Sequence, residues 1–181
     1  MSTSSRPSFS TQQQAWYEQA CARIDPKRLQ KLLFEIVDIH SPTGAARAAS
    51  EFMARHLARV GMDARYHPMT DTSGNVLAEV RGSGGGATLM LYSPIDTHLE
   101  LDAAEAQWTG AKGEADMQPR ARMLDDWVFG LGASNPKAMV ATLTEIATAV
   151  IEAGVPLTGD LLVGMADGGM PVDIASRQHS G

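Results

Sequence analysis

Residues 87–93 read Ala-Thr-Leu-Met-Leu-Tyr-Ser, an apolar run without a charged side chain. Such a run is typical of a strand that is buried on both faces of a sheet. A second run of this kind, Leu161 to Met165, comes after a helical pattern that opens at Asn135-Pro136 and ends at Gly154. Two buried strands with a helix between them are typical of a crossover connection. The sequence therefore predicts an α/β fold.

The chain ahead of residue 87 begins with three predicted helices. Thr11 to Ile24 has a helical pattern. Asp25-Pro26 then supplies an N-cap and a proline at the first position of a second helix, where its missing N–H costs nothing. A third helix is predicted from Ala45 to Val60, because its apolar residues share one face and Gly61 follows as a glycine that ends a helix.

Two further strands are predicted at residues 62–69 and 75–80, where the apolar period becomes that of extended chain and residues 71–74 supply the turn. Residues 99–125 show no regular pattern, and loops of this length are usually functional or mobile. Two buried strands are few for a central sheet, which commonly has about 5–6 strands. We therefore expect the fold to be incomplete at its C-terminal side.

Composition limits the partners that this chain can have. With 181 residues, of which 44% are hydrophobic, the chain can form one domain with a hydrophobic core. Residues 1–10 are polar and rich in serine, so a disordered lead-in is expected there. The net charge of −6, without a basic cluster, argues against a nucleic-acid or anionic-membrane surface. Cys21 is the single cysteine, and residues 1–10 lack the apolar segment of a secretion signal, so a cytoplasmic location is expected.

Candidate site residues follow the buried strands, because ligands of α/β sheets bind beyond the carboxyl ends of the strands. Asp96, His98 and Glu100 alternate, so on an extended segment all three side chains would face one side and could bind a metal. The alternative is a polar loop with an exposed histidine. Asn135 is either an N-cap or part of a substrate pocket. Asp167 is a carboxylate at the end of the second buried strand.

Four segments in register carry a resemblance. They are His40 to Gly44, the turn and strand at Asp71 to Gly82, the segment Pro94-Ile95-Asp96, and Gly130-Leu131-Gly132-Ala133-Ser134-Asn135-Pro136-Lys137. Over about residues 26–170 the chain resembles the N-terminal half of the catalytic domain of the metal-dependent aminoacylase, acetylornithine deacetylase and succinyl-diaminopimelate desuccinylase family. The resemblance implies a three-layer sandwich with a mixed central sheet flanked by helices, the phosphorylase/hydrolase-like architecture of zinc exopeptidases. It also implies that residues 11–181 are the N-terminal portion of a single α/β catalytic-type domain, and that a divalent metal, zinc or cobalt, is bound.

The chain departs from this family at its metal motifs. The family's His-x-Asp reads Pro94-Ile95-Asp96 here, its bridging aspartate falls on Asn135, and its paired glutamates fall on Gly168-Gly169. Proline and glycine side chains offer no donor atom, and a neutral amide is a poor bridge between two divalent ions. The resemblance leaves Asp96, His98 and Asn135 as candidate metal ligands, and Asp96 and Asp167 as candidate catalytic residues. The alternative is that no metal is bound.

Two functions remain open at this point. The first is a hydrolase that acts on a C–N bond, amide or N-acyl, of a small molecule, as a divergent or incomplete member of the family. The second is a non-catalytic binding subunit, or a degenerate fragment without metal-dependent activity. In either case the last predicted strand, Leu161 to Met165, would expose an unpaired edge, which predicts a homo-oligomer or a second chain that completes the sheet.

Overall fold

The computed structural model describes residues 9–99, 117–125 and 127–169. A four-stranded sheet has the order β1-β2-β6-β3, in which β3 and β6 are parallel and the other pairs are antiparallel. This mixed sheet flanked by helices confirms the predicted α/β class. The elements in chain order are α1 (Thr11–Cys21), α2 (Pro26–Val37), α3 (Arg47–Arg59), β1 (Asp63–Pro68), β2 (Gly74–Val80), β3 (Leu89–Pro94), β4 (Arg122–Leu124), β5 (Trp127–Phe129), α4 (Lys137–Glu152) and β6 (Leu161–Ala166).

Local signals fix the start of α2 and the end of α3. Asp25 Oδ1 accepts a hydrogen bond from Lys27 N at 2.9 Å, and Pro26 is the first residue of α2, as predicted. Gly61 has a φ of 98° just beyond α3, a conformation that favours glycine. The first helix ends at Cys21, three residues earlier than the predicted Ile24. Residues 1–8 of the predicted lead-in lie outside the described part of the chain.

The core lies between the sheet and three helices. Residues of α2, α3 and α4 join one buried cluster with the side chains of Val76, Ala78, Val163 and Met165. Burial of these apolar surfaces is the main force that holds helices against a sheet. Among the residues described, no helix is both long enough and apolar enough to cross a membrane.

The structure corrects the prediction that the first apolar run is buried on both faces. Leu89, Met90 and Tyr92 are 59%, 51% and 53% exposed. Met90 and Tyr92 lie on the sheet face opposite the helices, as does Leu77 of the interior strand β2, which is 39% exposed. Leu89 begins β3, which is an edge strand of the described sheet. The free edge predicted at Leu161 to Met165 is wrong, because β6 pairs with both β2 and β3. Association with another chain stays a prediction.

A small hairpin occupies part of the stretch that was predicted to be irregular. Strands β4 and β5 pair antiparallel, and Asp125 in the turn between them has a φ of 52°. Three-residue strands are too short to show a period in the sequence, which explains why they were missed. The hairpin places Val128 and Phe129 beside the loop at 130–135, where the candidate site lies.

Candidate functional site

The segment that follows β3 is held by the loop after α2. Thr97 N donates to Ser41 O at 2.7 Å, and Thr43 N donates to Thr97 O at 3.1 Å. Ser41 Oγ donates to Ile95 O at 3.1 Å, and both Ser41 and Ile95 are buried. Because of these bonds, the loop at Pro42 lies parallel to the segment at Thr97 that follows β3. They fix the position of the carboxylate between Ile95 and Thr97.

Asp96 is fully buried, and hydrogen-bond donors surround its carboxylate. Oδ2 accepts from Thr43 Oγ1 at 2.6 Å, and Oδ1 accepts from Gly169 N at 3.1 Å. A buried carboxylate needs such donors, because desolvation of an unpaired charge is costly. In this arrangement Asp96 joins the loop after α2 to the chain beyond β6.

Pro94 and Gly169 stand at two positions where the resembled family has metal-site residues, and they pack against each other. A Cβ added to Gly169 would lie 2.5 Å from Pro94 Cβ and 2.7 Å from Pro94 Cγ. Real Cβ atoms essentially never approach other atoms so closely. The ring of Pro94 and the backbone of Gly169 therefore occupy the space that longer side chains would need at these two positions.

Asp167 joins three segments that are far apart in the sequence. Its Oδ1 accepts from Gly44 N at 3.0 Å and Gly168 N at 2.7 Å. Its Oδ2 accepts from Ser73 Oγ at 2.5 Å and Ala46 N at 3.3 Å. Because Ala46 is the N-cap of α3, the negative charge also lies at the favourable end of that helix. Through these contacts the carboxylate of Asp167 holds the three segments together. The catalytic role predicted for Asp167 stays a prediction.

His98 and Asn135 lie together in a cleft of about 390 Å³ beside the loop at 130–135. The prediction that Asp96 and His98 face the same side is wrong, because Asp96 is fully buried and His98 is exposed. The strand ends at Pro94, so the alternation of an extended chain does not continue to these residues. Glu100 lies outside the described residues.

Asn135 is not the N-cap of α4, which corrects the structural interpretation of this residue. The helix begins at Lys137, and Pro136 occupies the N-cap position without a side-chain hydrogen bond. Lys137 N instead donates to Gly132 O at 2.9 Å, so a backbone carbonyl satisfies a donor of the first turn. This leaves the Asn135 side chain exposed at the cleft.

Lys137 is a buried cation that the sequence analysis did not single out. The side chain is fully buried, and its Nζ donates to Ile39 O at 2.7 Å. Its methylene groups lie beneath the cleft loop at Gly132, where an added Cβ would be 3.1 Å from Lys137 Cδ. Burial lowers the pKa of the ammonium from 10.5 to about 8, and the charge of Asp38 partly opposes this shift.

Lys137→Met is expected to remove a rise in stability at alkaline pH. The folded pKa lies below the unfolded value, so between about pH 8 and 10.5 the unfolded chain binds the proton and the folded chain does not. Stability must therefore rise with pH in this window, by up to about 3 kcal/mol. Urea unfolding of both proteins at pH 7 and pH 9.5 measures the effect. Lys27→Met, at an exposed lysine, is the control. Identical pH profiles for wild type and Lys137→Met would contradict the assignment.

The described residues do not form the donor set that a divalent metal needs. Within residues 9–99, 117–125 and 127–169, no three His, Cys, Asp or Glu side chains converge in a way that could hold an ion. Asp96 and Asp167 already accept hydrogen bonds inside the protein, and Pro94 and Gly169 are in contact. A zinc site commonly has three or four protein ligands. Asp96, His98 and Asn135 do not include three side chains of these types, so their predicted role as metal ligands stays a prediction.

The architecture is shared with solved peptidases. Human carnosine dipeptidase 1 has a TM-score of 0.61 and 16% identity, over 88% of this chain and 35% of that one. The dipeptidase Dug1p from Saccharomyces cerevisiae has a TM-score of 0.62 and 11% identity, over 85% and 34%. An M20 family metallo-carboxypeptidase from Sulfolobus solfataricus has a TM-score of 0.59 and 14% identity, over 77% and 30%. Over the aligned part, this chain shares the fold of these three peptidases.

Two findings limit what the similarity to these solved structures shows. The chain spans about a third of the length of the solved structures that it matches. No family model matches the sequence. This chain shares the mixed sheet and its helices with the peptidases. The chemistry of the candidate site depends on the residues described above.

Proposed function

We propose that this chain is part of a hydrolase that cleaves a C–N bond, amide or N-acyl, of a small molecule. The observation that carries the proposal is the cleft of about 390 Å³ that His98 and the loop at 130–135 line. It lies just beyond the carboxyl end of β3, where α/β sheets place their ligands. Its volume is in the usual range for small-molecule sites, and the fold is that of several peptidases.

The reaction requires water to add its oxygen to the acyl carbon while the C–N bond breaks and the departing nitrogen gains a proton. His98 is the titratable side chain among the described residues that line the cleft. An imidazole can accept a proton from water and return one to a leaving nitrogen. Ser134 and Asn135 are exposed beside it and can hydrogen-bond an amide group of the substrate. Asp96 and Asp167 hold the neighbouring segments in place.

His98→Ala is expected to lower kcat by about 100-fold with little change in KM, since proton transfer by a positioned side chain commonly contributes that much. Release of primary amine from a panel of N-acyl amino amides and dipeptides measures both constants. The control is His67→Ala, which removes an exposed histidine from β1 at the opposite edge of the sheet. Full activity of His98→Ala would remove this residue from the mechanism.

A second candidate function is small-molecule binding without hydrolysis. The contact between Pro94 and Gly169 and the internal hydrogen bonds of Asp96 favour it, because Pro94 and Gly169 offer no side-chain donor atom and Asp96 already accepts hydrogen bonds. Metal analysis and a chelator separate the two candidates. Stoichiometric zinc, with loss of activity on chelation, would favour the hydrolase and place its ligands among residues outside the described part. Ligand binding by metal-free protein, without turnover, would favour the binding function.

A further inference from the structure

We propose that β3 is the contact strand of a symmetric dimer, in which two copies of this chain pair their β3 strands antiparallel about Leu91. This inference concerns an interaction surface and does not depend on the proposed function. It starts from the position of β3, whose side away from β6 has no neighbouring strand in the described part of the chain. The six residues of β3, Leu89–Pro94, include no charged side chain. Charged residues commonly protect a free edge, so this edge is able to pair with another strand.

The hydrogen bonds between β3 and β6 show which backbone groups of β3 remain for a partner. The N–H groups of Leu89 and Ile95 both donate to carbonyl groups at either end of β6, at 2.9 and 3.0 Å. Successive residues of a strand direct their backbone groups to opposite sides, so the odd-numbered residues of β3 use theirs on β6. Met90 and Tyr92 therefore direct their N–H and C=O groups away from β6, to the outer side.

These outer groups are self-complementary about one residue. A two-fold axis at Leu91, perpendicular to the sheet, sets Met90 of each copy opposite Tyr92 of the other. Each such pair exchanges two N–H···O bonds, so this register forms four backbone hydrogen bonds and satisfies every outer group of both residues. An axis at Tyr92 would set Met90 against Pro94, which has no N–H to donate. An axis at Met90 would set Tyr92 against Thr88, which lies outside the strand.

The same axis brings an apolar stripe of α4 against its copy. Because the axis is perpendicular to the sheet, the helices of both copies lie on the same face. α4 packs on β3 and β6, and strands are about 4.8 Å apart, so the two α4 axes would lie about 10 Å apart, the usual distance of packed helices. Met139 and Ile146, seven residues apart on one side of α4, are exposed apolar side chains. The dimer gives them a partner.

The open face of the sheet gains contacts as well. Met90 and Tyr92 are exposed there in the single chain. Across the proposed register each methionine lies beside the tyrosine of the other copy, and both cross-strand pairs and sulfur–aromatic contacts are favourable.

The size of the contact sets the affinity that we expect. A strand of six residues is roughly 20 Å long. With one helix above it, the dimer buries on the order of 1,000 Å² in total, which is near the lower limit for a specific interface. We therefore expect a dissociation constant on the order of 10 μM.

Sedimentation equilibrium of the full chain, from about 1 to 200 μM, tests the association. We expect Met90→Lys to weaken the dimer at least about tenfold, because a charge at a strand edge opposes pairing. Leu77→Lys is the matched control, since it adds the same charge at an exposed apolar position on the same face but on the interior strand β2. It should leave the dissociation constant unchanged. A wild-type chain that is monomeric throughout this range would overturn the proposal. Equal weakening by both variants would also overturn it, because the contact would then lie on the sheet face and not at the edge.

Disulfide cross-linking tests the register, in proteins that also carry Cys21→Ser. In the proposed register the Cα atoms of Met90 and of the opposite Tyr92 are about 5.5 Å apart, within the range of a disulfide. A mixture of Met90→Cys and Tyr92→Cys proteins should therefore form a linked dimer with one copy of each on mild oxidation. Either protein alone should link poorly, because its two cysteines would be diagonal neighbours about 7–8 Å apart. Preferred linkage of Met90→Cys to itself, or no linkage in the mixture, would contradict pairing about Leu91.

Discussion

Replacement of Asp167 by alanine is expected to lower the free energy of unfolding by about 4 kcal/mol, because each buried donor left unpaired costs about 1–3 kcal/mol. The carboxylate accepts from the backbone of Gly44 and Ala46 and from Ser73 Oγ, and alanine can accept from none of them. The side chain is buried, so water cannot readily replace the lost oxygens. Urea denaturation at pH 7 measures the change.

A second substitution separates charge from shape at this position. In Asp167→Asn an amide NH₂ must face a donor, since both carboxylate oxygens accept hydrogen bonds in the wild type. We expect this variant to lose about 2 kcal/mol. Asp71→Ala removes an exposed carboxylate from the neighbouring turn and should stay within about 0.5 kcal/mol of wild type. An Asp167→Ala protein as stable as Asp71→Ala would show that the carboxylate does not hold these segments.

Replacement of Glu145 by alanine is expected to cost about 3 kcal/mol, because its buried carboxylate accepts three hydrogen bonds, two of them from a charged guanidinium. Both carboxylate oxygens accept from the guanidinium of Arg28, each at 2.8 Å, and Oε1 also accepts from Asp25 N at 2.7 Å. The Glu145 side chain is 3% exposed and that of Arg28 is 28% exposed. The hydrogen bonds with Glu145 raise the pKa of Arg28 above its ordinary value, so Arg28 stays charged.

Glu152 provides a matched control on the same helix and the same partner. It accepts one hydrogen bond from Arg28 Nη1 at 2.7 Å and is 41% exposed. Exposed ion pairs contribute about 0–1 kcal/mol, so Glu152→Ala should have a small effect on thermal or urea unfolding. The two variants remove the same functional group from positions two turns apart on α4. Equal losses of stability would contradict the assignment, because Glu145 is buried and accepts three hydrogen bonds, whereas Glu152 is exposed and accepts one.

Much of the secondary structure followed from local signals. Pro26 and the side chain of Asp25 start α2 where the pattern predicted, and Gly61 ends α3 as expected. These features depend on interactions between residues a few positions apart. The hairpin at 122–129 was missed, and the exposure of β3 was misjudged, because an apolar pattern does not specify which strand lies at the edge of a sheet.

The candidate site could be predicted only in part. The sequence placed His98 and Asn135 beyond the strands, and both line the same cleft. It could not predict that Asp96 would be buried beneath Thr43, since that contact joins residues 53 positions apart. It also gave no signal for the burial of Lys137, whose partner Ile39 is 98 positions away.

The sequence by itself determined the class of fold, the caps of the early helices and the absence of donor atoms at Pro94, Gly168 and Gly169. The tertiary structure decided which partners the remaining carboxylates have and which side chains reach a cleft. The reason is that period and capping act over a few residues, whereas burial and hydrogen bonding at the site depend on segments that packing brings together. Asp167, with partners from Gly44 to Ser73, is the residue at which this difference is largest.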